Sequence, residues 1–271
     1  MKLTVCTAVF NMLSRGQGES VRRCLASVAA VPVAHEHLVF DGGSTDGTVD
    51  LLRELAAEHP NVRLVSERDA GIYDALNKGL RAAAGDYFYV LGSDDLIHDP
   101  AALAEAVRTG SDADADLVLS PVRLENGTLQ PKRPASVFRI LRKMGYSHQG
   151  VLVRTKLLRR VGGFDLRFRI AGDHHALMRC HLAGGSVVRA WRAYATFGGD
   201  GVSSTRRAAA VDDDIAAIAD VHGLSPEAAR RFRKTGIAPW SLIRRLRAAE
   251  APFLGDCARR LLLTKLTFGL F

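Results

Sequence analysis

The amino-terminal third of the chain alternates two periodicities, and that alternation constrains the fold more than any other feature. Short apolar runs at 3–10, 37–40, 62–66 and 87–91 suit strands, while 19–30, 48–58 and 72–84 repeat apolar residues at helical spacing. Parallel strands need crossovers, and helices between them supply these. The rhythm therefore predicts an α/β fold with a mostly parallel central sheet flanked by helices on both faces.

Beyond residue 95 the pattern loosens. A helix is expected over 101–108, an extended segment over 117–124, a hairpin-type turn at Asn126-Gly127 and a strand over 149–153. A short helix should end at Gly162-Gly163, and another should run over 173–182 with Asp173 near its start. With 271 residues, 47% of them hydrophobic, the chain can bury one large core or a core plus an appendage. There is no repeat, and no long linker precedes about Thr205. The expected division is a catalytic domain at 1–205, in halves 1–95 and 96–205, and a helical extension at 206–271.

Cys6, Cys24, Cys180 and Cys257 are far apart and lack metal-type spacing, which reads as reduced thiols in a cytosolic compartment. The apolar run at 3–10 is short and has no small-residue cleavage pattern after it, so a first strand is expected rather than a signal peptide. No apolar stretch is long enough for a transmembrane helix. Charge is placed unevenly: residues 1–229 balance, and the formal excess of +8 lies in 230–271. That tail interleaves Arg244, Arg245, Arg247, Arg259 and Arg260 with Trp240, Ile243, Leu246, Phe253, Leu254, Ala258, Leu261 and Leu262 at helical spacing. An amphipathic basic segment of this kind suits packing on the catalytic domain or an anionic membrane surface.

Carboxylates gather where the predicted strands end. The strand at 87–91 runs into Gly92-Ser93-Asp94-Asp95, and two adjacent acids call for a cation or hydrogen-bond donors to offset their repulsion. Hard oxygen ligands favour Mg²⁺ or Mn²⁺. Asp41 ends the second strand ahead of Gly42-Gly43-Ser44-Thr45-Asp46-Gly47, where glycines permit a sharp turn and Asp46 can cap the next helix. Asp69 follows the third strand. Three consecutive strands thus present acids on one rim, the edge at which open α/β sheets bind ligands.

These motifs, in order, resemble glycosyltransferase family 2, the inverting nucleotide-sugar transferases with a GT-A fold. The resemblance spans roughly residues 1–200 and rests on Thr7-Ala8-Val9-Phe10-Asn11, 41–48, 69–79, 92–95 and Ala171-Gly172-Asp173-His174-His175. It implies a nucleotide-sugar site of Thr7, Ala8, Phe10, Asp41, Ser44, Asp69, Gly71, Asn77 and Asp94. Ala8 and Phe10 would line the base pocket, with Asp41 and Asp69 on the base. Asp95 would be the direct ligand of Mn²⁺ or Mg²⁺, and Asp173 the catalytic base. Ala8 departs from the proline that many members carry there.

The implied chemistry is coherent. A nucleoside diphosphate leaves readily only when its charge is neutralised, and the acceptor hydroxyl needs a general base on the opposite face of the sugar. His148, Gln149 and His174 are expected on the acceptor side, without metal spacing among the histidines. The segment 198–203 reads as a loop over the product or an ordinary surface loop. The expected partners are a nucleotide-diphosphate sugar, a glycan or lipid-linked acceptor and an anionic membrane surface for the tail; nucleic acid is not expected. The expected location is cytoplasmic, peripheral at the inner face of the plasma membrane. Two alternatives stand beside transfer: a sugar nucleotidyltransferase, for which a Gly-rich basic triphosphate loop is missing near the first strand, and a noncatalytic sugar-nucleotide- or glycan-binding module.

Overall fold

The computed structural model of the chain describes residues 1–130, 141–143, 146–198, 207–239 and 242. Its first half follows the predicted rhythm: β1 (Leu3–Val9), α1 (Gly18–Ala29), β2 (His35–Asp41), α2 (Thr48–Glu58), β3 (Val62–Ser66), α3 (Ile72–Ala82) and β4 (Tyr87–Val90). After a short β5 (Leu96–Ile97) comes α4 (Pro100–Asp112), whose start is fixed by Asp99 accepting from the Ala102 amide at 2.9 Å and by a proline in the first turn. The segment expected as one extended run is two strands, β6 (Leu117–Leu119) and β7 (Val122–Leu124), which enter different sheets. Pro121 separates them, and proline cannot donate to a continuing ladder. Asn126-Gly127 does turn a hairpin into β8 (Leu129–Gln130), with Gly127 at φ 79°.

The remaining described elements are β9 (Val151–Arg154), α5 (Thr155–Arg160), α6 (Gly172–Leu182), β10 (Val187–Arg189), β11 (Ala195–Phe197), α7 (Arg207–His222) and α8 (Pro226–Thr235). The main sheet has the order β10-β6-β9-β4-β1-β2-β3. Its strands are parallel except β9, which runs antiparallel to β4 and β6. A smaller sheet, β5-β11-β7-β8, lies beside it.

Both faces of the main sheet are buried. Val21 and Leu25 of α1, Leu52 of α2 and Leu103 of α4 pack with Val5, Tyr87 and Tyr89 on one side. Leu76 of α3 and Leu177 of α6 pack with Cys6, Leu38 and Phe88 on the other. Ile215 and Ile218 of α7 and Phe232 of α8 enter this second core. α7 and α8 therefore share the core that α3 and α6 build. The basic residues and apolar stripe from Trp240 to Leu262 lie outside the described residues, as do Cys257 and all of 199–203. Among the described residues no helix is long and apolar enough to cross a membrane.

Candidate active site

The turn after β2 is built around Asp41. Its carboxylate is 1% exposed and accepts from the amides of Gly43 and Ser44, both at 3.0 Å, from Ser66 Oγ at 2.8 Å and from Ser44 Oγ. Asp41 thus ties its own turn to the end of β3. Gly42 lies against Asp69, since a Cβ there would stand 2.7 Å from Asp69 Oδ2. Asp69 in turn accepts from the amide of Gly71, which holds φ 121° at the start of α3. Ser44 Oγ accepts from the Asn11 amide at 2.8 Å, and Asn11 Oδ1 accepts from Thr45. This lacing leaves Phe10 47% exposed at the rim beside half-buried Ala8. Asp46 plays the capping part, accepting from the Thr48 and Ser14 amides.

Two residues expected on the nucleotide are bonded within the protein. Thr7 is wholly buried, its hydroxyl 2.9 Å from His37 Nε2, because the face of β1 that carries it is covered by the sheet and its helices. Asn77 spends its amide on the backbone of Phe164, donating to its carbonyl at 2.7 Å and accepting from its N–H at 2.9 Å. It fastens α3 to the loop before α6.

Asp95 is 3% exposed, and both its oxygens accept hydrogen bonds. Oδ2 accepts from the Gly92 amide at 3.0 Å and Gln149 Nε2 at 2.8 Å, and Oδ1 accepts from the Gly198 amide at 3.1 Å. A Cβ on Gly92 would lie 2.5 Å from Asp95 Oδ2 and 2.9 Å from Asp94 Oδ1, so both carboxylates fold over a backbone that only glycine permits. The donor from Gln149 arrives because β9 runs backwards: its amino end, not its carboxyl end, meets the carboxyl end of β4. A 3₁₀ turn, His148–Gly150, stands where the sequence predicts the strand's beginning, and Tyr89 Oη holds the Gln149 carbonyl at 2.9 Å.

The same turn places His148 between two acids. Its Nδ1 is 3.3 Å from Asp173 Oδ2 and its Nε2 3.9 Å from Asp95 Oδ2. Burial pushes the imidazole pKa down, but the hydrogen bond and charge of Asp173, with the charges of Asp95 and Asp94, outweigh it and raise it. Burial pushes Asp173 up, and His148 together with the His174 amide, 2.8 Å from Oδ1, outweighs that and holds it below the usual carboxylate value. Tyr73, which the sequence reading missed, donates to the Ile170 carbonyl at 2.6 Å with Asp173 Oδ1 at 3.3 Å. His174 turns its ring away from this rim: it is 1% exposed and bonded through Nδ1 to Asp214 of α7. Adjacent helical residues point in different directions, so His174 cannot flank Asp173 on the acceptor side.

An apolar cavity lined by Phe88, Val90, Val153 and Phe164 lies beneath His148 and Asp173, but at about 40 Å³ it admits no sugar. Among the described residues Asp165, His175 and Asp220 also converge within 4.8 Å. There Arg167 already supplies the cation, pairing with Asp165 at 2.7 Å and Asp220 at 3.0 Å.

The family model for glycosyl transferase family 2 matches residues 4–174. The chain belongs to glycosyl transferase family 2. The chain is 34% identical over 163 residues to a PGL/p-HBAD biosynthesis glycosyltransferase of Mycobacterium bovis (strain BCG / Pasteur 1173P2), a match covering 58% of the chain and 62% of that relative. An uncharacterized glycosyltransferase of Mycobacterium tuberculosis (strain ATCC 25618 / H37Rv) is 31% identical over 246 residues, covering 85% and 87%. Among solved structures, Staphylococcus aureus TarS 1–349 in complex with UDP-GlcNAc superposes with a TM-score of 0.67 at 18% identity, over 98% of this chain and 84% of that one. Mannosyltransferase PcManGT from Pyrobaculum calidifontis, in complex with GDP-Man and Mn²⁺, gives 0.62 at 22%, over 99% and 80%. The chain therefore has the GT-A fold.

Proposed function

We propose that this glycosyltransferase moves a sugar from a nucleoside-diphosphate donor to an acceptor hydroxyl with inversion at the anomeric carbon. The observation that carries this reading is the disposition of Asp95 and Asp173, two acids from opposite halves of the domain that meet across the His148 ring. In this reading Asp173 takes the proton of the acceptor hydroxyl as the oxygen attacks, and one displacement with one base inverts configuration once. His148 stabilises the ionised carboxylate from which that proton transfer starts. Ala8, Phe10, Asp41, Ser44, Asp69 and Gly71 frame the donor's nucleoside.

The residues fit a divalent cation. Asp94 and Asp95 present hard oxygens over the same glycine, a donor set suited to Mn²⁺ or Mg²⁺. When bound there, such an ion would neutralise charge on the departing diphosphate. The neighbour solved with GDP-Man and Mn²⁺ supports both the donor class and the metal. Supporting a role in glycoconjugate assembly is the relative named for PGL/p-HBAD biosynthesis, and the basic tail is the reason to place a lipid-linked acceptor and a cytoplasmic, membrane-peripheral location in the same reading. Division at about residue 205 into a catalytic domain and an extension belongs to it as well.

The test is a panel of nucleotide sugars, UDP-GlcNAc and GDP-mannose among them, screened for Mn²⁺-dependent thermal stabilisation and then for transfer by wild type and Asp173→Asn. We expect the variant to keep donor and metal affinity and to lose transfer by about a hundredfold or more. Asparagine keeps the shape and the acceptor oxygen of Asp173 but not its basicity, so near-wild-type turnover would sink the reading.

A further inference from the structure

The loop and first turn that carry Asp173 are held from outside α6. Ala171, at the N-cap of that helix, offers no capping side chain. Instead Asp213 of α7 reaches across and accepts from the Ile170 amide at 2.7 Å and the Ala171 amide at 2.8 Å through one oxygen, Oδ2. Its neighbour Asp214, 5% exposed, takes His174 Nδ1 on one oxygen and Arg233 Nε of α8 on the other. Gly172, between these anchors, lies so close to the Tyr73 ring that a Cβ would come within 2.7 Å of it. Residues on both sides of Asp173 are therefore fixed, two by Asp213 and one by Asp214.

Stability alone does not account for this arrangement. A buried ion pair generally does no better than apolar residues of the same volume, and α7 and α8 already contribute Ile215, Ile218 and Phe232 to the core. What directed hydrogen bonds add to packing is geometry. A group that must meet a hydroxyl proton at hydrogen-bond distance loses efficiency steeply when displaced by about 1 Å. The His174 amide, one of the donors to Asp173, moves with the ring that Asp214 holds.

We propose that Asp213, Asp214 and Arg233 are positioning residues for glycosyl transfer: α7, braced by α8, clamps the segment 170–174 so that the Asp173 carboxylate is aimed at the acceptor. The inference rests on reading Asp173 as the base. It assigns the first turns of the carboxyl-terminal extension a part in turnover without contact to donor or acceptor.

The test compares Asp213→Ala, Asp213→Asn and Arg233→Met with wild type, using the donor selected by the panel and reading nucleoside diphosphate release in the presence of acceptor, donor affinity by calorimetry and thermal unfolding. Asp213→Ala should lower kcat by about tenfold to a hundredfold, leaving donor affinity within about twofold. Asp213→Asn, whose single carbonyl oxygen can still accept from both amides, should recover most of the loss. In an Asp173→Asn background, Asp213→Ala should cost no more than about twofold, because a clamp has nothing left to aim. Should Asp213→Ala not fold, Arg233→Met, altering a side chain 29% exposed, carries the comparison. Full turnover in Asp213→Ala and Arg233→Met alongside loss in Asp173→Asn overturns the clamp alone. An equal fold loss in both backgrounds also overturns it, whereas full turnover in Asp173→Asn overturns the base reading beneath it.

Discussion

The His148 imidazole stands 3.3 Å from the Asp173 carboxylate, and each shifts the other toward its charged form. Removing the ring should let burial push Asp173 upward, since His148 is the chief influence holding it down. For His148→Asn we therefore expect the acidic limb of the kcat/KM profile to move to higher pH, with turnover at neutral pH reduced. A pH–rate series on wild type and variant checks this, and an unmoved limb would separate His148 from the titration of Asp173.

Asp95 holds three donors, and this changes what its loss should do. A pair of acids at a strand tip suggests that deleting one relieves repulsion, leaving the apo fold untouched. The structure overturns that motive: Asp95→Ala strips acceptors from Gly92, Gln149 and Gly198 at a site only 3% exposed. We expect it to abolish Mn²⁺-dependent donor affinity and also to destabilise the apo protein by about 1–3 kcal/mol. Calorimetric titration with and without Mn²⁺, beside denaturant unfolding, separates the two effects.

Gly92→Ala tests the same corner from the backbone side. The added methyl would meet Asp95 Oδ2 at 2.5 Å and Asp94 Oδ1 at 2.9 Å, so both carboxylates must turn. Donor affinity in Mn²⁺ should fall by at least tenfold while the α/β signal in circular dichroism persists. Unchanged affinity would mean that the orientation of the pair is not what binds.

His181 supplies a stability prediction independent of the site. It is 1% exposed, neither ring nitrogen has a hydrogen-bond partner, and burial, with the charge of His174, pushes its pKa down to about 4. A depressed histidine stays neutral in the folded state while the unfolded chain takes up a proton, so stability falls as pH drops from about 6.5 towards 4, by about 3 kcal/mol in all. His181→Leu should flatten that part of the curve, as read by denaturant unfolding at pH 7, 6, 5 and 4.

How much of this was legible in the sequence depends on how far apart the contacts lie. Residues 3–91 reveal their strands and helices because periodicity is local, and Asp41, Asp69, Asp94 and Asp95 stand out because turns at strand ends are local too. Thr7 is harder to place, because β1 is buried on both faces and its residue types give no in-and-out alternation to mark which side chains reach the rim. Pro121 was available as a signal to divide the extended run, since it cannot continue a central ladder. Asp213, Asp214 and Arg233 carry no such signal. Their partners are distant in sequence, and a run of three acids in a helix reads as a solvated face until the packing of α7 on α6 turns two of them inward.

The reversal of β9 has a consequence for how such an enzyme diversifies. Parallel strands deliver their exits to the ligand edge, and each exit is bound to a crossover that the sheet cannot spare. A reversed strand delivers its entry instead, so the approach to the rim on that side is the turn carrying His148 and Gln149. Lengthening or rewriting that approach leaves the register of β4, β1, β2 and β3 untouched. Residues on that side of the rim can then change while the turns that carry Asp41, Asp69 and Asp95 stay in place.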